Sequence, residues 1–216
     1  VGRVEELDKN LGLSNIPGKV GIAHTRWATH GKVQQNNAHP LASCDSKVAV
    51  VHNGIIENHV DLRNKLESEG HVITSETDSE VASHLIEAEL LNGISPRNAF
   101  LNTVKKIDGS FALLALISFA GELMYAARKD SPIAVGVGKN RNFVASDILA
   151  LIPHTDRVIF LDNLEAAEIS KDSLSFFDFN GLDIRKTESQ VAWEASEFSK
   201  SEFAHYTLKE IKEQPR

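Results

Sequence analysis

Short apolar runs and amphipathic stretches fill the first half of the chain, and β-type runs dominate the second half. Compact apolar runs at 20–24 and 47–52 predict two buried strands. The second run is followed by Asn53-Gly54, a dipeptide typical of tight turns, which predicts that the strand ends there. The polar stretch between the two runs is too long for a simple connection, so we expect it to be functional.

Helical spacing of apolar residues predicts three consecutive helices in the middle of the chain. They cover 60–69, 77–91 and a segment that begins at Ser95-Pro96, where proline takes the first helical position. Thr77 and Glu80 have the spacing of a capping box, which places the start of the second helix at 77. A short strand is predicted at 72–74, and the opening residues 1–4 also have a strand-like pattern.

The second half of the chain is rich in strands separated by turn dipeptides. The predicted strands are 110–118, 122–128, 133–138, 142–145, 158–161, 166–169 and 174–179. A helical turn is predicted at 147–151, a hairpin at Asn180-Gly181 and a final helix over 201–213. Helices in the middle with strands on either side indicate an α+β layered fold of antiparallel strands, not a doubly wound parallel sheet.

Composition and charge exclude several classes of protein. The 216 residues are 42% hydrophobic and 25% charged, as in ordinary globular domains. A formal net charge of −7 argues against nucleic acid or an anionic membrane as a partner. The longest apolar run, 111–117, is far shorter than a membrane-spanning helix. A single cysteine cannot form an internal disulfide, so we expect a cytoplasmic protein.

Three groups near strand ends and helix starts have side chains suited to bind one amino acid. Arg26 offers a planar fork for a carboxylate, although it could equally pair with a structural acid. Asp78 suits an ammonium group, although a carboxylate here could serve only the helix dipole. Asn53 and Gly54 could form a two-donor oxyanion hole, or only a turn. Together they describe a ligand with a carboxylate, an ammonium and a side-chain carbonyl, such as glutamine or asparagine.

Metal, cofactor and cysteine chemistry are not predicted. Five of the nine histidines lie between positions 24 and 59, but their spacings of 6, 9, 13 and 7 do not place two rings on one helix face. The sequence has no glycine-rich phosphate turn, so no nucleotide cofactor is expected. Cys44 lies in a polar loop without a following helix, and we expect a non-catalytic thiol there.

Four motifs resemble the glutaminase domain of the glutamine–fructose-6-phosphate aminotransferase family. They are His24-Thr-Arg-Trp-Ala-Thr-His-Gly31, Asn37-Ala-His-Pro40, His52-Asn-Gly-Ile-Ile-Glu-Asn58 and Ser75-Glu-Thr-Asp-Ser-Glu80. The resemblance implies the four-layer αββα sandwich of N-terminal-nucleophile hydrolases, with antiparallel sheets between helix layers. It also implies that residues 1–200 form the glutaminase domain and that 201–216 link it towards a sugar isomerase domain. A homodimer is implied for the full-length enzyme.

The resemblance assigns roles to nine residues. By motif position, Arg26 binds the glutamine carboxylate and Asp78 the ammonium, while Asn53 and Gly54 form the oxyanion hole. The loop that closes over the substrate contains Trp27, Thr29 and His30, and supporting roles fall to His39 and His52. In the family, an N-terminal cysteine attacks the glutamine amide, with its own α-amine as general base. Ammonia then converts fructose 6-phosphate to glucosamine 6-phosphate.

The sequence departs from the family at its start, where the family's Cys-Gly-Ile-Val-Gly is not found. We therefore weigh three hypotheses: the glutamine-hydrolysing part of the sugar enzyme, a module that binds glutamine without cleaving it, and a related amidophosphoribosyltransferase. The first explains the four motifs, and the second the missing nucleophile, since we expect this stretch alone to be inactive. Trp27 and Ile55-Ile56-Glu57-Asn58 favour the sugar enzyme over its phosphoribosyl relative.

Overall fold

A computed structural model describes residues 4–12, 15–27, 30–118, 121, 123–191, 203 and 205–214. The helices in these residues are α1 (Val4–Leu11), α2 (His59–Ser68), α3 (Glu80–Leu91), α4 (Pro96–Lys106) and α5 (Tyr206–Glu213). The strands are β1 (Leu41–Ala42), β2 (Val48–Ile56), β3 (Gly109–Ile117), β4 (Met124–Lys129), β5 (Ala134–Val137), β6 (Asn142–Ala145), β7 (Arg157–Phe160), β8 (Glu165–Ile169), β9 (Leu174–Asp178), β10 (Asp183–Ile184) and β11 (Ser189–Gln190). Short 3-10 turns lie at Gln35–Asn37 and Ile148–Ala150.

The strands form two antiparallel sheets. The larger sheet has seven strands in the order β1-β2-β3-β4-β8-β9-β10, and the smaller has four in the order β11-β7-β5-β6. Strands β2 and β3 pair along their whole length, from Val48 opposite Ile117 to Ile56 opposite Gly109. This long central pairing holds the carboxyl-terminal end of β2 in a fixed position, which is where the candidate site lies.

Alternating side chains of β3 fill two different cores, as the pleat of a strand requires. Phe111, Leu113, Ala115 and Ile117 are buried against helices α3 and α4 in one core. The residues between them, such as Ala112, face the core between the two sheets. The described residues therefore form a helix layer, the large sheet and the small sheet, stacked in that order.

Most of the predicted elements are confirmed, including the α+β class with antiparallel sheets. The helices predicted over 60–69, 77–91 and from Ser95-Pro96 correspond to α2, α3 and α4, and the Ser95 side chain caps α4 by accepting from the Asn98 N–H. All the strands predicted after residue 109 are present to within a few residues, as are the turn near 147–151 and the last part of the final helix. The predicted domain boundary at residue 200 lies outside the described residues.

Two predicted strands are wrong, and the predicted strand-like start is contradicted at Val4, the one of its four residues that the structure describes. Residues 20–24 form no strand; Val20 and Ile22 instead pack on the core between the sheets from an extended segment. Residues 72–74 also form no strand. Val4 begins helix α1, while residues 1–3 lie outside the described part of the chain. At 20–24 and 72–74 a short apolar run suggested a strand, but a run of this length carries little information about pairing.

The capping box is also wrong, and its failure has a physical cause. Helix α3 begins at Glu80, and the preceding Ser79 makes no capping hydrogen bond with its side chain. The Glu80 carboxylate instead accepts hydrogen bonds from the backbone N–H groups of Thr74 and Ser75, at 3.0 and 2.5 Å. It therefore braces the segment that leads into the helix instead of closing the box.

Asn53-Gly54 is not a turn. Both residues lie inside β2, which continues to Ile56, paired with Ala112 and Phe111 of β3. Gly54 has φ +130°, and a Cβ added to it would lie 2.0 Å from the carbonyl oxygen of Ser110. Glycine is needed here because a strand passes too close for any side chain, not because the chain reverses.

No helix in the described part of the chain is long and apolar enough to cross a membrane.

Candidate active site

A pocket opens where the carboxyl-terminal half of β2 meets the residues before α3 and the extended segment around residue 26. Its lining residues are His24, Arg26, Trp27, His30, His39, His52, Asn53, Gly54, Thr77, Asp78 and Ser79. Eight of the nine residues assigned by the resemblance are in this set. The ninth, Thr29, lies outside the described residues. The structure thus brings together side chains that are up to 55 positions apart, from His24 to Ser79.

The Asn53 side chain is oriented by His24. Its Oδ1 lies 2.6 Å from His24 Nε2, so the ring N–H at Nε2 donates to the amide oxygen. With the oxygen engaged, the amide NH₂ of Asn53 is left as a donor for a ligand in the pocket. This is the arrangement that a side-chain oxyanion donor needs, because only the N–H end stabilises a developing negative charge.

Asp78 joins the start of α3 to the end of β2. This buried carboxylate accepts from the Ile56 backbone N–H at 2.8 Å through Oδ2, and from the Ser79 hydroxyl at 3.2 Å through Oδ1. These bonds fix the position of the carboxylate and leave it further acceptor capacity, since a carboxylate has about four lone-pair sites. A negative group in this position can hold an ammonium ion in the pocket.

Arg26 is half-buried and supplies a positive charge to the pocket that contains the negative Asp78. Its guanidinium donates to the backbone carbonyls of Gly31 and Lys32 at 3.1 Å each, and also to that of His30. The arginine therefore orders the chain at 30–32 as well as supplying a positive charge. A guanidinium has five N–H donors, so these bonds do not exhaust it.

Trp27 and His30 contribute to the mouth of the pocket. Trp27 is 89% exposed, an unusual state for so large an apolar ring. The His30 ring packs edge-on against His59 at 5.4 Å between centroids, and its buried Nδ1 has no partner among the described residues. An exposed aromatic ring and an unpartnered ring nitrogen beside a pocket fit residues that contact a ligand.

The back of the pocket contains histidines that are uncharged at neutral pH. Burial lowers the pKa of His39 to about 3, with further lowering by His24, His52 and Arg26. Burial also lowers the pKa of His52, whose Nδ1 lies 2.8 Å from the Ser79 hydroxyl. His39 and His52 therefore add no positive charge to that of Arg26 in the pocket, where Asp78 supplies a negative group.

Sequence reasoning missed the role of His24. It begins the first motif, but no role could be assigned without knowing that it contacts Asn53, 29 residues away. One signal was present: in an extended segment, side chains two apart point the same way, so His24 and Arg26 share a side. Thr77 and Ser79 also line the pocket, and their positions on either side of Asp78 in the sequence could have indicated this.

Comparison with known proteins identifies the class. Residues 24–153, more than half of the chain, match the family described as "Glutamine amidotransferase domain", and the chain belongs to that family. Two solved structures share the fold at 23% identity over 72% of this chain and 34% of theirs. One is the glutamine phosphoribosylpyrophosphate amidotransferase from B. subtilis, at a TM-score of 0.59. The other is described as the allosteric regulatory enzyme of purine biosynthesis, at 0.60.

Among curated proteins, the chain is similar to glutamine–fructose-6-phosphate aminotransferases (isomerizing). It is 43% identical to that of Methanothermobacter thermautotrophicus over 99% of this chain, and 44% identical to that of Pseudomonas aeruginosa over 100%. It covers 36% and 35% of those two proteins, so it spans about a third of the length of the relatives it matches. Its counterpart in them is the glutaminase region that the four motifs indicated.

Proposed function

We propose that this chain is the glutamine-binding and glutamine-hydrolysing part of an enzyme that makes glucosamine 6-phosphate from fructose 6-phosphate. The observation that carries the proposal is the convergence of Arg26, Asp78 and the Asn53 amide on one pocket. These three groups match the carboxylate, ammonium and side-chain carbonyl of glutamine. Sequence identities of 43% and 44% to glutamine–fructose-6-phosphate aminotransferases support fructose 6-phosphate as the acceptor of the ammonia.

In the proposed mechanism, Arg26 and Asp78 hold the two charged groups of glutamine and so fix its side chain against β2. The Asn53 NH₂ and Gly54 hydrogen-bond the amide oxygen as it gains charge. The thiolate of the family's N-terminal cysteine attacks the amide carbon. The C–N bond breaks as the cysteine α-amine passes the former thiol proton to the leaving nitrogen, which departs as ammonia. Water then hydrolyses the thioester to glutamate and the free thiol. His24 takes no part in the bond changes, but positions Asn53.

Cys44 is not the nucleophile in this proposal. It does not line the pocket, and its sulfur lies beside His71 and His84 instead. The proposal takes the nucleophile from the family's amino-terminal segment, and the described residues supply the binding groups and the oxyanion hole. A sugar isomerase domain that receives the ammonia, a homodimer and a cytoplasmic location complete the proposal and stay predictions.

The function is tested with a chain that carries the family's amino-terminal cysteine segment ahead of Val1, joined to the isomerase part of a relative. We expect glutamate release from glutamine, and glucosamine 6-phosphate when fructose 6-phosphate is present. Phosphoribosyl pyrophosphate serves as the competing acceptor. Transfer to phosphoribosyl pyrophosphate instead of the sugar would contradict the assignment, as would binding of glutamine without any release of glutamate.

A further inference from the structure

A second cluster of reactive side chains lies apart from the glutamine pocket. It consists of Cys44, His71, His84 and Glu87, hereafter the Cys44 cluster. One potential ligand atom from each residue lies within 4.8 Å of all the others. None of the four lines the pocket described above, and the proposed glutamine chemistry uses none of them.

The spacing of these atoms is close to that of a tetrahedral metal site, with His71 and Glu87 nearer to each other than such a site requires. A tetrahedral zinc ion, with Zn–N of about 2.0–2.1 Å and Zn–S of about 2.3 Å, separates two nitrogens by roughly 3.3 Å and sulfur from nitrogen by roughly 3.6 Å. The two ring Nδ1 atoms of His71 and His84 are 3.3 Å apart. Cys44 Sγ lies 3.5 Å from His84 Nδ1 and 3.8 Å from His71 Nδ1. Glu87 Oε2 lies 2.9 and 3.6 Å from the same two nitrogens.

The fold brings the cluster together from three separate segments. Cys44 lies in the loop between β1 and β2, and His71 follows the end of α2. His84 and Glu87 project from the same face of α3, three positions apart. The site could not be predicted from residue spacing, because the two histidines are 13 residues apart and the cysteine precedes them by 27 and 40.

Surrounding groups hold the ligand atoms in place. His84 Nε2 faces Glu80 Oε1 at 3.5 Å, so its outer nitrogen has a carboxylate partner and Nδ1 is left to face the cluster. The Val72 N–H donates to Cys44 Sγ at 3.3 Å. The Cys44 and Asp45 N–H groups donate to the Glu87 carboxylate at 3.3 and 3.0 Å. Such outer hydrogen bonds are typical of metal ligands.

Burial of the cluster is uneven in a way that suits a metal ion. The side chains of His71, His84 and Glu87 are only 8%, 1% and 6% exposed, whereas Cys44 is exposed. The site is therefore desolvated on the helix side and open at the sulfur, where an ion can enter. Four atoms with lone pairs that face one another at these distances need either shared protons or a cation between them.

We propose that the Cys44 cluster binds one Zn²⁺ ion, with Cys44 Sγ, His71 Nδ1, His84 Nδ1 and Glu87 Oε2 as its four ligands. A thiolate, two imidazoles and one carboxylate form a donor set that suits zinc better than magnesium or calcium. Four protein ligands leave no open position, so the ion is structural and not catalytic. The ion joins the β1–β2 loop and residue 71 to α3. Asp78 lies two residues before the first residue of that helix. Binding displaces the thiol proton to solvent.

The test uses untagged protein stripped with a chelator and then titrated with Zn²⁺ and, separately, Co²⁺. We expect one equivalent of either ion, a rise of several degrees in the unfolding temperature on Zn²⁺ addition, and a Co²⁺ spectrum with tetrahedral visible bands and a sulfur-to-metal charge-transfer band. Cys44→Ser, at an exposed position, should abolish the charge-transfer band and weaken Zn²⁺ binding by about 100-fold or more.

Two further variants make the result decisive. His84→Gln should also lose tight binding, and His205→Gln, at an exposed histidine outside the cluster, should bind like the parent protein. If His84→Gln does not fold, the spectra of the parent and Cys44→Ser decide alone. A stoichiometry near zero, an octahedral Co²⁺ spectrum, or Zn²⁺ binding that Cys44→Ser leaves unchanged would overturn the proposal and leave a hydrogen-bonded cluster only.

Discussion

At the scale of single residues, the proposed chemistry depends most on the orientation of the Asn53 amide. His24 holds its oxygen at 2.6 Å, so the NH₂ end faces the pocket. We expect Asn53→Ala to lower glutamine turnover by ~10²–10³, with a smaller effect on binding, because the lost donor acts mainly on the transition state. Steady-state kinetics of the chain with the restored cysteine segment measure this. Asn64→Ala, at an exposed position on α2, is the control. An unchanged turnover in Asn53→Ala would show that Asn53 is not part of the oxyanion hole.

His24 allows a finer test of the same idea. It contributes one hydrogen bond to Asn53 and no charge to the reaction, so His24→Ala should reduce kcat by about three- to tenfold. KM for glutamine should change little, because the groups that bind its charged ends stay in place. A loss as large as that of Asn53→Ala would show that His24 contacts the reacting atoms itself. Equal kcat values for His24→Ala and the parent would show that the hydrogen bond does not orient the amide.

Arg26 has one observed interaction, with backbone carbonyls, and one proposed interaction, with the substrate carboxylate. A pair of substitutions can separate the two. Its guanidinium donates to the backbone carbonyls of residues 30–32, and in the proposed function it also pairs with the glutamine carboxylate. Arg26→Ala should weaken glutamine binding by roughly 2–5 kcal/mol, because a carboxylate is left unpaired in the pocket. Arg26→Lys keeps the charge but not the fork, and should bind more weakly than the parent and more tightly than Arg26→Ala. Calorimetry measures both, with Arg185→Ala as the exposed control. A change below a few fold in Arg26→Ala excludes it as the clamp.

At the scale of elements, strand β2 reaches the site only because Gly54 lets β3 pass close to it. Gly54→Ala would place a Cβ 2.0 Å from the Ser110 carbonyl oxygen, so the strands must separate. We expect a loss of about 1–3 kcal/mol or more in the free energy of unfolding. Gly70→Ala is the matched control, since Gly70 also has a positive φ, +95°, but no atom lies within 4 Å of its added Cβ. Urea unfolding of both variants measures the difference, and equal losses would show that φ, not the neighbouring strand, sets the cost.

The elements also show what the sequence could and could not reveal. Apolar spacing located α2, α3 and α4 and the strands after residue 109, because those segments are long or bounded by clear turn signals. It failed at 20–24 and 72–74, where pairing partners decide whether an apolar run becomes a strand. Asn53-Gly54 has the composition of a turn, yet the nine-residue pairing of β2 with β3 overrides that local preference.

For the site, the motif resemblance located the residues but did not show which of them contact one another. It assigned Asn53 and Asp78 to one pocket, and the structure places them there. The contact between His24 and Asn53, and that between Asp78 and Ile56, depend on how the sheet meets α3. The Cys44 cluster could not be predicted, because its members lie on three segments that only the tertiary fold brings together.

At the scale of the whole molecule, the pocket histidines make stability depend on pH. The native fold keeps His39 uncharged down to about pH 3, whereas an ordinary histidine has a pKa of 6.5. Between these values the unfolded chain binds a proton that the native chain does not, so stability falls as the pH drops from about 6.5 towards 3. His52 acts in the same direction. The urea midpoint should therefore be lower at pH 5 than at pH 7.

His39→Gln should flatten this dependence, because one of the groups that bind protons only in the unfolded state is gone. His205→Gln, at an exposed histidine, should keep the slope of the parent protein. Urea titrations at several pH values between 4.5 and 7.5 make the comparison. The same slope in His39→Gln and the parent would show that His39 titrates normally in the native fold.

The central claim for the molecule is that one pocket recognises both charged ends of glutamine. Calorimetric titration of L-glutamine into the parent protein and Asp78→Asn tests this most directly, since asparagine retains an acceptor for the Ile56 N–H but not the charge. We expect the parent to bind L-glutamine and Asp78→Asn to bind it about 30-fold or more weakly. Asp172→Asn, in an exposed loop, should bind like the parent. Equal affinity of Asp78→Asn and the parent would show that Asp78 does not hold the ammonium group, and no binding by the parent would show that the pocket is not a glutamine site.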